Sequence, residues 1–174
     1  YLFDLDGVLT DTNEIHFKST LNAFLIVKGY ELDTKYHKII KSSITTINKL
    51  NILKSKNIIE TQDILKIYNL KKVQCNKEFQ KINFDKVKNN LFSYLKKKKC
   101  KIAVVTNSNK ESAKIILKNL GVFDYIDLLL SNNDVNNKKP HSEPYIRAIS
   151  YFGDKLENYI IFEDSDIGLQ SAYS

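Results

Sequence analysis

Two aspartates stand two positions apart near the start of the chain, in Phe3-Asp4-Leu5-Asp6-Gly7. Leu2, Phe3 and Leu5 are apolar and Gly7 supplies a turn, so the segment reads as a short buried strand with a polar tip. In an extended backbone Asp4 and Asp6 point to the same side. Paired acids repel one another, and each costs free energy if desolvated without a partner. A divalent cation relieves both problems, and hard oxygen ligands favour Mg²⁺. An acidic surface turn and a calcium loop share the Asp-x-Asp-Gly pattern, so the spacing alone leaves all three open.

Three later segments narrow the choice. Lys101-Ile102-Ala103-Val104-Val105-Thr106-Asn107-Ser108 is an apolar strand ending in hydroxyl and amide groups. Lys138-Lys139-Pro140-His141-Ser142-Glu143-Pro144 places lysine before proline in a loop and then opens a helix. Tyr159-Ile160-Ile161-Phe162-Glu163-Asp164-Ser165 is a second apolar strand tipped with acids, with Gly168 following. Each polar group falls at the C-terminal end of a strand or in a loop leading into a helix. Ligands bind there in open parallel α/β sheets.

Taken together, Asp4-x-Asp6-Gly-Val-x-x-Asp11-Thr12, Thr106-Asn107, Lys139-Pro140 and Glu163-Asp164-Ser165-x-x-Gly168 resemble the haloacid dehalogenase-like hydrolase superfamily. The nearest likeness is to its β-phosphoglucomutase and phosphoglycolate phosphatase branch. The signatures occur in family order and span nearly the whole chain. The resemblance implies that Asp4 is the nucleophile, forming an aspartyl-phosphate, and that Asp6 is the general acid and base. Dehalogenase members lack the second aspartate, so its presence favours phosphoryl substrates. The resemblance further implies an Mg²⁺ site made by Asp4, the main-chain carbonyl of Asp6, and Asp164, with Glu163 as a ligand or orienting the ion's waters. Thr106 and Asn107 would donate to phosphoryl oxygens. Lys139 would balance their charge, the Lys-Pro pairing selecting it over Lys138. Asp11 and Thr12 would brace the turn or cap the next helix. His16 stands where related mutases carry histidine; it would touch substrate, couple cap closure to acid/base chemistry, or serve as a buried hinge residue.

The implied activity is Mg²⁺-dependent hydrolysis of a small phosphorylated metabolite. The alternatives are a sugar-phosphate mutase and a non-catalytic domain binding phosphate or nucleic acid. A mutase must grip a second phosphate, and residues 13–82 contain no arginine for that task. Lys41, Lys49 and Lys71 are left as substitutes, and Lys41-Ser42-Ser43-Ile44 carries serines where the family commonly has glycine.

The elements that must position these residues alternate. Residues 1–12 give the first strand and its turn. Ile15, Leu21, Phe24, Leu25 and Val27 suit an amphipathic helix from Glu14 to about Gly29. Residues 33–80 are helical in pattern, broken by a turn and helix cap over Ser42–Ile47. Thereafter Phe84–Lys98 reads as helix on Val87, Leu91 and Leu95, Lys101–Thr106 as strand and Lys110–Leu120 as helix closed by Gly121. Tyr125–Leu130 reads as strand, Glu143–Phe152 as helix with Pro144 in its first turn, and Tyr159–Phe162 as strand. The expected fold is α/β: a Rossmann-like parallel sheet core from residues 1–12 and 83–174, with an inserted α-helical cap domain over 13–82.

Composition adds bounds. The net charge is +7, carried by 26 lysines and one arginine, Arg147. Readers of nucleic acid favour arginine, so the lysine excess is read as compositional bias with a modest attraction for anionic substrates, and Lys96–Lys99 as a solvated helix end. Cys75 and Cys100 are isolated, and His16, His37 and His141 form no metal-spaced cluster, which fits a reducing cytoplasm and argues against zinc. No apolar run approaches the roughly 18 residues that cross a bilayer. The chain opens on Tyr1 inside a strand and contains no methionine, so it is expected to be partial, with upstream targeting left open. Gly168–Ser174 resembles the start of the family's last helix, so the C-terminal end is expected to be truncated too. A monomer or weak dimer is expected.

Overall fold

The computed structural model describes residues 1–42 and 44–174. Four short strands form one parallel sheet in the order β3-β2-β1-β4. These are β1 (Leu2–Phe3), β2 (Ala103–Val105), β3 (Leu128–Leu130) and β4 (Ile161–Phe162). Leu2 pairs in register with Ala103 on one side and with Ile161 on the other, so the first strand is internal to the sheet.

Adjacent residues of a strand face opposite ways, and β1 divides its core accordingly. Leu2 is fully buried with Ala103, Val105, Tyr145 and Ala148, on the side of α7 (Glu143–Phe152). Phe3 stacks at 5.1 Å on Phe92 of α5 (Lys86–Lys97) and at 4.7 Å on Phe162. Helices therefore cover both faces of the sheet. The remaining helices of this part are α6 (Lys110–Asn119) and α8 (Asp166–Tyr173).

Local signals explain the boundaries. Pro144 sits in the first turn of α7, and Gly153 closes the helix in the left-handed region. Asp85 caps α5 by accepting from Lys88 N, and Asn109 caps α6 by accepting from Ser112 N. Three readings of the sequence are corrected. Phe123–Tyr125 is a 3₁₀ turn and the strand begins only at Leu128. In α5, Val87 and Leu91 face solvent while Phe92 and Leu95 are buried. Apolar spacing located the helix there but not its inward face. Lys96, read as part of a solvated end, forms an ion pair with Asp127.

The chain divides into two compact units, one of residues Tyr1–Asp11 and Phe79–Ser174, the other of Thr12–Glu78. The second unit is helical: α1 (Asn13–Lys28), α2 (His37–Lys41), α3 (Thr46–Ser55) and α4 (Thr61–Phe79), whose last residue belongs to the first unit. Its core gathers Ala23, Phe24, Leu32, Ile40, Leu50, Leu53, Ile59 and Ile67. Thr45 caps α3 by accepting from Asn48 N, whereas Thr12, at the N-cap position of α1, makes no capping bond with its side chain. Ser43, part of the expected turn, lies outside the described residues.

Candidate active site

Asp4 directly follows β1, Thr106 directly follows β2, and Glu163 directly follows β4. The parallel sheet thus delivers all three to one edge, at the carboxyl ends of its strands. Lys139 enters from the loop before α7. Its Nζ lies 2.7 Å from Asp4 Oδ1, 2.5 Å from Glu163 Oε1 and 2.6 Å from the Val105 carbonyl oxygen. Its side chain is 3% exposed and that of Glu163 is 1% exposed, so this is a buried ammonium satisfied by three oxygens. Lys138, its neighbour, is exposed.

The loop after β1 is tightly wound. Gly7 N donates to the Thr10 carbonyl, and Leu9 N and Thr10 N both donate to the Leu5 carbonyl. Gly7 has φ +93°, and a Cβ there would fall 1.8 Å from Asp164 Oδ2. A side chain at position 7 would fill the space the Asp164 carboxylate occupies. Gly168 is constrained likewise, since a Cβ would fall 1.9 Å from Glu163 Oε2.

Oxygens of Asp4, Glu163 and Asp164 lie within 4.8 Å of one another. Burial pushes the Asp4 carboxyl up to about 7 against the pull of Lys139, with Glu163 and Asp6 adding repulsion. Asp164 is raised as well, by burial and by its acidic neighbours. Three carboxylates against one ammonium leave an excess of negative charge, the side chains of Asp4 and Glu163 being buried and Asp164 exposed. Glu163 Oε2 is buried and has no hydrogen-bond partner. A hard divalent cation answers both features, and the oxygen-only donor set fits Mg²⁺ rather than zinc. The Asp6 carboxylate is held by Ser108: its Oδ2 accepts from Ser108 Oγ at 2.7 Å.

Thr106 and Asn107 hold the neighbouring loops. Thr106 Oγ1 accepts from Ser108 N at 3.0 Å. Asn107 Nδ2 donates to the Lys139 carbonyl and Asn107 Oδ1 accepts from Lys139 N, both at 3.1 Å. That reciprocal pair clamps the backbone of Lys139, a task beyond the phosphate contact expected of Asn107. Ser108 and Tyr145 touch the candidate site residues Asp6 and Glu163, and sequence reasoning did not single them out. Ser108 ends the polar tip of its strand, which was a usable signal. Tyr145, whose hydroxyl donates to Glu163 Oε1, carried no signal beyond being an aromatic core position in α7.

In the helical unit, His16 of α1 has Nδ1 2.8 Å from Lys71 Nζ and 3.4 Å from Cys75 Sγ, both on α4. Burial raises the Cys75 thiol, but the His16 hydrogen bond and the Lys71 charge outweigh it and leave the thiol below its ordinary range. Lys49 donates to the Ile40 carbonyl at 2.8 Å. Burial, aided by the charge of Lys71, pushes the Lys49 ammonium down to about 8.

The sequence matches the family of haloacid dehalogenase-like hydrolases over residues 1–174, and the chain belongs to that family. It is similar to a phosphorylated carbohydrates phosphatase of Thermotoga maritima, 28% identical over 99% of this chain and 79% of the relative. It is similar to a phosphoglycolate phosphatase of Aquifex aeolicus, 27% identical over 98% of this chain and 78% of the relative. Among solved structures, a β-phosphoglucomutase from Clostridium difficile superposes with a TM-score of 0.79 at 24% identity, over 99% of this chain and 78% of that one. That likeness carries the fold: a Rossmann-like parallel sheet. The chain thus belongs to a family of hydrolases, and both of these curated relatives are named phosphatases. None of the helices among the described residues is long and apolar enough to cross a membrane.

Proposed function

We propose that the protein is an Mg²⁺-dependent phosphomonoester hydrolase acting on a small phosphorylated metabolite through an aspartyl-phosphate on Asp4. The observation that carries this reading is the juxtaposition of Asp4, Lys139, Glu163 and Asp164 at one sheet edge, with Asp6 turned to Ser108 beside it. Residues 13–82 are read as the cap domain and residues 1–12 with 83–174 as the core, supported by the separate packing of Thr12–Glu78.

In the first step an Asp4 oxygen attacks phosphorus, the bond from phosphorus to the leaving alcohol oxygen breaks, and the protonated Asp6 carboxyl gives that oxygen a proton. In the second step water attacks the phosphorus of the aspartyl-phosphate. Asp6 takes the proton of that water, the bond from phosphorus to Asp4 breaks, and inorganic phosphate leaves. Asp4, the Asp6 main-chain carbonyl, Asp164 and Glu163 would hold the metal. When bound, Mg²⁺ offsets the repulsion between carboxylates and a phosphate dianion. Lys139 supplies positive charge beside Asp4 and Glu163, and Thr106 and Asn107 are assigned to the phosphoryl oxygens.

The test is phosphate release across a panel of phosphorylated sugars and phosphoglycolate. Asp4→Asn is expected to abolish release, because an amide cannot form the acyl-phosphate. Asp6→Asn should lose most turnover yet allow some phosphorylation of Asp4 by a substrate with a good leaving group. Near-normal release by Asp4→Asn would sink the mechanism.

A mutase is the second reading, and Lys49 and Lys71 of the helical unit are the cations that favour it. Such a pair suits a second anionic group. Incubation with β-glucose 1-phosphate and a bisphosphate primer separates the two. Free phosphate is expected; rapid formation of glucose 6-phosphate with little free phosphate would select the mutase.

A further inference from the structure

The two oxygens of Glu163 are not equivalent. Oε1 accepts from Lys139 Nζ at 2.5 Å and from the Tyr145 hydroxyl. Oε2 is buried without a partner, in a space that stays open only because residue 168 is glycine. A buried carboxylate free to rotate about its terminal torsion would share its donors between both oxygens. Here both donors converge on one oxygen and leave the lone pairs of the other unspent.

Tyr145 is well built to impose that asymmetry. It is 2% exposed and its ring packs in the core with Leu2, Ala103, Val105 and Ala148, so its hydroxyl is aimed by the fold. A buried tyrosine hydroxyl seeks an acceptor, and this one finds Glu163. The same ring lies 5.0 Å, centroid to Nζ, from Lys139, within cation–π range. One side chain therefore steadies both the acid and the cation of the cluster.

We propose that Tyr145 is a positioning residue for the metal centre, pinning Glu163 Oε1 so that Oε2 is presented to the divalent cation or to a water it carries. The inference rests on the metal-site reading given under Proposed function. Groups that orient metal ligands typically contribute about 10- to 100-fold in affinity.

The experiment is Mn²⁺ titration followed by electron paramagnetic resonance, with thermal melts in the absence of metal as the folding control. Wild type, Tyr145→Phe, Glu163→Gln, the Tyr145→Phe/Glu163→Gln double variant and Asp164→Asn are compared. Tyr145→Phe keeps the ring in the core and should melt as a folded protein. Its Mn²⁺ affinity should fall about tenfold, and the Mg²⁺ concentration for half-maximal phosphate release should rise while the rate at saturating Mg²⁺ largely recovers. The double variant should bind Mn²⁺ no more weakly than Glu163→Gln alone, because the hydroxyl acts through that carboxylate. Wild-type affinity in Tyr145→Phe, or independent additive losses in the double variant, would overturn the proposal. Absence of Mn²⁺ binding by wild type, or unchanged binding by Asp164→Asn, would instead overturn the metal site and the proposal with it.

Discussion

Lys139 Nζ lies 2.7 Å from Asp4 Oδ1, an ion pair between side chains that are 3% and 10% exposed. Burial makes such a pair costly to break from one side, since the remaining charge is stranded. Lys139→Met would leave Asp4, Glu163 and Asp164 facing one another without their ammonium. Phosphate release should fall by about 100-fold or more, and the melting temperature should come to depend more steeply on added Mg²⁺. Initial rates and melts with and without Mg²⁺ check both. Activity near that of wild type would remove Lys139 from the site.

Ser108 donates to Asp6 Oδ2 at 2.7 Å and so fixes the direction of the proposed acid and base. Ser108→Ala should lower kcat by roughly tenfold to a hundredfold through misplacement of that carboxyl, with little change in KM. Steady-state kinetics separates the two constants. A change confined to KM would mean that Ser108 contacts substrate and does not orient Asp6.

The oxygen donor set predicts a sharp choice of metal. Excess chelator should stop turnover, Mg²⁺ should restore it, and Ca²⁺ should not. Ca²⁺ takes more ligands at longer distances and would hold the attacking carboxylate out of line. Full activity in excess chelator would rule out the metal-assisted reading.

Glu143 governs the loop that carries Lys139. Its carboxylate accepts from Asn136 N at 2.9 Å and Asn137 N at 2.8 Å, and pairs with Arg147 at 2.8 Å. Those backbone bonds hold its pKa down at about 2, against an ordinary 4.5. A depressed carboxyl stabilises the fold fully above its unfolded pKa and loses that contribution as pH falls through the folded value. Glu143→Gln should therefore melt below wild type at pH 7, and the gap should close between about pH 4.5 and pH 2. A gap that stays constant over that range would show that the ionised form contributes nothing.

What could be read from the sequence is instructive residue by residue. The strands before Asp4, Thr106 and Glu163 were legible because fully apolar runs of that length, with polar tips, suit strands of a parallel sheet. The boundaries of α7 were legible because Pro144 and Gly153 punctuate it. The inward face of α5 was not legible, since Val87 and Leu91 satisfy helical periodicity as well as Phe92 and Leu95 do. Phe3, placed by the sheet, stacks on Phe92, a contact no local pattern announces. Tyr145 and Ser108 escaped for a related reason: their partners Glu163 and Asp6 are distant in sequence, and no local pattern announces a hydrogen bond closed by tertiary structure.

The internal position of β1 has a consequence for how the molecule comes into being. Leu2 and Phe3 pair with Ala103 and Val104 on one side and with Ile161 and Phe162 on the other. A ribosome must therefore emit the whole stretch from Leu2 to Phe162 before the sheet can close around β1. The helical segment Thr12–Glu78 can gather its core from neighbours in sequence long before then. Pairings across such sequence distances fold slowly because loop closure must precede any gain. The candidate site at the carboxyl ends of these strands is thus assembled late, and a product ending before Glu163 would lack both that residue and Asp164.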